Sequence, residues 1–214
     1  NLHKISLQST YSTNTDNSIT ARDGQDLEQQ RFIRATAIEY TENHLLTTRL
    51  SGEHSLSESG IRLNWGGGYN RSSRDVPSLR RMFYSKNFDA DENEPFRAFV
   101  PIQADPFRSG RFYSDLSEDV LNGNLDFTVP FVLAGRKHSV KMGGLYQQKD
   151  RLFDARVMGW TRKTAGFNSA LLNLPQNQIF ADSNIADNGF VMGEITNKSD
   201  AYDANSQLSA GFIM

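Results

Sequence analysis

Six stretches of this 214-residue chain alternate apolar and polar side chains with a period of two. That spacing restricts them to β-strands with one greasy face and one wet face. Ile5, Leu7 and Tyr11 share a parity against Lys4, Ser6, Gln8 and Thr10. From His44 to Leu56, Leu46, Thr48, Leu50, Gly52 and Leu56 oppose Thr47, Arg49, Ser51, Glu53 and Ser55. Ile61 to Arg71 sets Ile61, Leu63, Trp65, Gly67 and Tyr69 against Arg62, Asn64, Gly66, Gly68 and Asn70. The clearest stretch runs Leu121, Gly123, Leu125, Phe127, Val129, Phe131 and Leu133 against Asn122, Asn124, Asp126, Thr128, Pro130 and Val132. Val140, Met142, Gly144 and Tyr146 make the fifth, with Leu145 out of pattern. The sixth places Tyr202, Ala204, Leu208, Ala210 and Phe212 on one side.

The connections sharpen the picture. Ser57–Gly60 and Ala134–Lys137 are short enough for tight hairpins. The other three gaps, near 13–43, 72–119 and 150–200, are long, and they are expected to be loops. Within the first, Asp26 to Glu39 is read as a loop excursion, with a short helix or an extended strand as the alternatives. Long structureless loops are uncommon inside a compact soluble domain. Short turns on one side and long loops on the other are the normal asymmetry of bacterial outer-membrane barrels. Six strands then run alternately up and down without conflict.

Composition fits such a wall. Hydrophobic residues make up only 37% of the chain, yet aromatics reach 11%, which argues against disorder. Net charge is -2, with the 23 Lys and Arg spread along the chain, so no case exists for nucleic acid. The absence of cysteine excludes disulfides, thiolate metal sites and thiol catalysis. No apolar run approaches the ~18 residues of a membrane helix, whereas a barrel strand needs only about 9–11. Neither an initiator Met nor a secretory leader stands at Asn1, and the last residues stop within a strand, so both ends read as cut or processed. The expected fold is all-β: an antiparallel transmembrane β-barrel segment of about six strands from a larger barrel, since backbone groups in hydrocarbon must all be paired and the sheet must close.

The runs Tyr40-Thr41-Glu42-Asn43-His44-Leu45-Leu46, Leu50-Ser51-Gly52-Glu53-His54, Leu63-Asn64-Trp65, Tyr69-Asn70-Arg71 and Arg74-Asp75-Val76-Pro77 are less generic. Together with Ser199–Ala204 and Leu208–Gly211, they resemble the barrel of TonB-dependent outer-membrane receptors, particularly a branch common in Bacteroidetes. The resemblance implies a 22-stranded barrel in the outer membrane of a Gram-negative bacterium, filled by a plug that this chain lacks. It also implies uptake of a nutrient (siderophore, vitamin, glycan or peptide) driven by the TonB complex. Partners would be outer-membrane lipid, the plug domain of the same full-length protein and, in some systems, a surface lipoprotein. Two other functions stay open: a passive outer-membrane channel or adhesin, and a soluble all-β carbohydrate-binding module.

Residues suited to chemistry are sparse. His3, His44, His54 and His138 form no metal-spaced pair, no nucleophile motif is present, and neither catalysis, metal nor cofactor is expected. Asp89, Asp91, Glu92 and Glu94 are spaced like calcium ligands but lack the bend glycine, and a solvated loop face is the expectation. The charges Arg49, Glu53, Arg62, Asp126 and Lys141 are expected to pair structurally. The 72–119 connection interleaves rings and guanidinium groups. Arg81, Phe83, Tyr84, Phe96, Arg97, Phe107, Arg108, Arg111 and Tyr113 are the candidate ligand contacts, because rings stack on ligand rings and arginines pair with carboxylates. Packing of those rings into a cap of their own is the other expectation.

Overall fold

The computed structural model describes residues 3–58, 60–186 and 188–214; Ser59, part of the expected Ser57–Gly60 turn, falls outside them. The protein is all-β, one antiparallel sheet in which long neighbours in sequence are neighbours in space. β1 (His3–Asp26), β2 (Arg31–Ser55), β3 (Arg62–Asn87), β5 (Gly110–Leu133) and β6 (Arg136–Arg162) pair in that order. A two-residue β4 (Arg97–Ala98) pairs with β3. β7 (Phe190–Glu194) and β8 (Tyr202–Ile213) both pair with β6, one beyond the other. They act as one sixth strand interrupted at residues 195–201.

The strands are far longer than the period-two stretches alone indicated. The expected loop at 13–43 is strand except for a four-residue turn at Leu27–Gln30, and much of 72–119 and 150–200 is strand too. Polar residues such as Thr13, Asn14, Thr15 and Asp16 carry no alternation, but their backbone groups remain paired to β2. Cross-strand hydrogen bonds, not hydropathy, hold this part. The two-residue β5–β6 turn follows the primed-turn rule, with both Ala134 (φ 50°) and Gly135 (φ 76°) left-handed.

Register divides the sheet into two faces. Ile5, Gly52, Trp65, Leu125 and Gly144 form one cross-strand row. Lys4, Glu53, Asn64, Asp126 and Gly143 form the row beside it on the opposite face. The first is the apolar face and the second the polar face. Five of the six expected strands obey this division. The sixth differs: Leu208, Ala210 and Phe212 lie opposite Gln147, Leu145 and Gly143, on the polar face. The out-of-pattern Leu145 thereby meets Ala210, and the Phe212 ring occupies the space above Gly143, beside the Lys141 ammonium.

No protein layer covers the lower apolar face among the described residues. Leu7 is 71% exposed, Leu121 and Leu125 54% each, and Phe131 42%. Tyr11, Tyr69 and Tyr146 end the apolar stretch on β1, β3 and β6. The row through Tyr11 reaches Arg71 on β3 and Asp150 on β6. Tyr69 is thus two residues below that row after two strand steps, and Tyr146 four residues below after four. The line of tyrosines slants by one residue per strand.

The upper end has its own core. Connections 88–109 and 163–201 come together around Met82, Val100, Trp160, Leu172, Ile179 and Phe190, the last two fully buried. Trp160 stacks on Phe180 at 4.1 Å, and Phe180 meets Phe190 edge-on at 5.2 Å.

Candidate functional site

β3 positions the site. Its extra residue at Pro77–Ser78 is a bulge between Val76 and Leu79. Proline has no N–H to give a ladder, so it suits a place where pairing lapses. Beyond the bulge the odd-numbered residues point to the polar face, which brings Arg81 and Phe83 there opposite Ala37 and Ala35. The segment before β5 folds over them. Asp105 accepts hydrogen bonds from the amides of Phe107 and Arg108, each at 3.1 Å, and fixes the bend.

The result is a cleft of about 890 Å³ whose walls include Arg22, Ile33, Ala35, Arg81, Phe83, Phe107 and Arg108. Arg108 lies over Phe99 at 4.6 Å and over Phe83 at 5.7 Å; Arg81 lies 5.8 Å from the Phe107 ring centre. A guanidinium stacked on a ring keeps its in-plane N–H donors for carboxylate or phosphate oxygens, and in Arg108 the Nε edge is turned to the Asp105 carboxylate at 3.7 Å. Phe107 is 79% exposed at the rim. Asp26 and Glu28 also reach this cleft, but the Asp26 carboxylate already accepts the Gln29 amide at 3.0 Å.

Four of the nine candidate contacts are therefore together: Arg81, Phe83, Phe107 and Arg108. The others are elsewhere. Tyr84, one residue from Phe83, points to the opposite face and packs on the upper core, where its hydroxyl donates to the Leu174 carbonyl at 2.9 Å. Burial pushes its phenol up to about 12. Arg111 and Tyr113 share that opposite face, with the Arg111 guanidinium donating to the Tyr113 hydroxyl at 3.4 Å. Phe96 sits under the Arg34 guanidinium at 4.1 Å, and Arg97 is an exposed member of β4. Some rings of this loop therefore make a cap and others line a cleft. Arg22 and Ile33 were missed as cleft residues. Arg22 and Ile33 lie in the stretch read as a loop, and continuing the parity of Lys4 through Arg22 would have found the first.

Along the polar face below the cleft, two carboxylates are matched by cations. Asp126 accepts from Asn64 at 3.0 Å and pairs with Lys141 at 3.2 Å. Glu118 pairs with Lys149 at 2.8 Å and with Arg151. Of the five charges expected to pair, Asp126 and Lys141 do so; among the described residues Arg49, Glu53 and Arg62 have no ion pair within 4.0 Å. In the acidic knot, Asp91 accepts the Asn93 amide at 2.8 Å and so serves its own turn. No group of three or more His, Asp or Glu side chains among the described residues has a metal-holding arrangement.

The opposite face carries a different charge pattern above the tyrosines. Glu42, Asp75, Asp115 and Asp154 stand in one cross-strand row. Burial first, then the charges of Asp115 and Glu42, raise the Asp75 carboxyl above the ordinary aspartate value. No protein-family model matches the chain, and a search of curated proteins finds no match either, so the site stands on its own geometry.

Proposed function

We propose that the chain is part of the wall of an outer-membrane β-barrel of the TonB-dependent receptor kind, with the cleft of Arg81, Phe83, Phe107 and Arg108 as a ligand contact at its outer mouth. The observation that carries this reading is the uncovered apolar face ending in a slanted line of tyrosines. Exposed apolar surface of this extent is costly in water and marks a partner surface. Its partner here is lipid. Tyrosine is favoured where one end of a ring is greasy and the other wet, as at the membrane interface.

The slant supports the same reading quantitatively. One residue of stagger per strand, at about 3.3 Å rise and about 4.8 Å between strands, corresponds to a tilt of about 35°. Membrane barrels tilt their strands by about 35–45°. With that tilt the three tyrosines share one level above the lipid. The short turns drift the same way, since β5 runs on to Leu133 beyond the Arg62–Thr128 pair that ends β3. A membrane sheet has to close, so the reading requires further strands beside β1 and β8. The 22-strand closure, the plug, the TonB complex and a surface lipoprotein come from the sequence resemblance.

The chain has no cysteine, so single cysteines can be placed one at a time along β5. In the full-length protein, closed by its further strands in lipid vesicles, Cys at Leu121, Leu125 and Phe127 should be shielded from water-soluble maleimide, and Cys at Asn122, Asn124 and Asp126 should react. Uniform reaction along β5 would refute the membrane wall and favour a soluble module. Alternation together with uptake that ignores the proton-motive force would leave a passive channel or adhesin.

A further inference from the structure

We infer that the solute admitted along the polar face is an anion bearing carboxylate or phosphate groups, held first by Arg81 and Arg108. This rests on the polar face being the enclosed side of the wall. The cleft supplies two guanidinium groups seated on rings, with aliphatic Ile33 and Ala35 among its walls; the Arg108 Nε also faces the Asp105 carboxylate at 3.7 Å, which leaves its terminal N–H groups for the ligand. Seating reduces the freedom each arginine loses when it binds, so the bound oxygens gain more of the charge-assisted hydrogen bond.

Below the cleft the arginines recur at a fixed interval. Arg81 lies opposite Ala37, Arg74 opposite Asn43, and Arg62 opposite Ser55, while Arg49 itself supplies the station between. Counted on β2, the stations are 37, 43, 49 and 55, or about 20 Å apart at about 3.3 Å per residue. No ion pair within 4.0 Å joins any of the four arginines to a carboxylate among the described residues. The neighbouring acids Asp126 and Glu118 are already neutralised by Lys141, Lys149 and Arg151. Glu39 and Glu53 share the column, and Glu53 faces Lys4 in register. Positive charge left over on one wall of a narrow aqueous space raises the local concentration of anions and excludes cations.

The test uses the full-length protein, with the further strands that close the barrel, in neutral phosphatidylcholine vesicles, with insertion checked by flotation and protease protection. The probes are trisulfonated pyrene and a pyrene bearing trimethylammonium groups, followed by fluorescence anisotropy. Saturable, salt-sensitive binding of the anionic probe alone is expected. The paired change Arg81→Gln and Arg108→Gln should weaken it about tenfold or more, the loss expected of charge-assisted hydrogen bonds. Arg49→Lys should keep the preference and Arg49→Gln should reduce it. Arg81→Lys with Arg108→Lys retains the charge and controls for misfolding. An inserted protein that binds both probes alike, or whose anion binding ignores the paired Gln change, overturns the inference and leaves the wall intact. A protein that stays out of the vesicles overturns both.

Discussion

Gly52 shows how one atom can matter in a sheet this thin. A Cβ added there would overlap the Trp65 indole, whose Nε1–H donates to His54 at 2.9 Å. Gly52→Ala should therefore expel the ring and cost about 1–3 kcal/mol, as overpacking does. Thermal or urea unfolding of the variant checks it, and Trp65 fluorescence should shift with the loss. The row Glu42, Asp75, Asp115 and Asp154 gives a second expectation, because like charges directly opposite one another are destabilising. The Asp75 carboxyl holds its proton to a higher pH in the folded protein than in the unfolded chain. Its contribution is thus present at acid pH and is lost as pH rises through the raised value. Asp75→Asn should be more stable than the parent at neutral pH, and the advantage should shrink as pH falls toward the ordinary aspartate value. An unfolding series across that range reads the difference. Neither feature was legible in the sequence. Gly52 and Trp65 are 13 positions apart, and the four acids come from four strands whose register had to be known first.

At the scale of elements, the bulge and the cap decide what the site contains. Deleting Ser78 would remove the extra residue between Val76 and Leu79, and a one-residue slip turns every following side chain to the other face. Arg81 and Phe83 would leave the polar face, and binding of the anionic probe should fall while the lower sheet keeps its pairing. Amide exchange in β5 would report that the lower sheet persists. The cap hangs on Phe190, fully buried between Phe167 and Phe180. Phe190→Ala should destabilise the cap by about 3–5 kcal/mol. Faster amide exchange within residues 163–201, with β1–β3 unchanged, would show that the cap is a separate cooperative unit. The hairpins and six principal strands were legible because alternation and turn residues are local. The upper strand halves were not, since Thr13–Asp16 and their neighbours show no hydropathy pattern and are held by backbone pairing alone.

Across the whole molecule, the uncovered face sets the protein's relation to its surroundings. On the membrane reading, Leu125→Arg puts a charge in hydrocarbon and should cost about 2–4 kcal/mol near the midplane. Asn124→Arg, one residue away on the polar face, should cost little. Folding into vesicles of short-chain lipid followed by urea titration measures both, and equal losses would refute the assignment of faces. The sequence by itself determined which residues could share a face, because a β-strand admits only two directions for its side chains. It also determined the tight hairpins, through the residues able to turn. Only the tertiary structure decided strand length, the slant of the tyrosines, and which rings joined the cap or the cleft. Those depend on register, and register is a relation between strands that a single strand's pattern does not contain. The sixth strand makes the point. Its alternation is as regular as the others, yet pairing to β6 turns Leu208, Ala210 and Phe212 toward the polar side, where Leu145 and the bare backbone of Gly143 receive them.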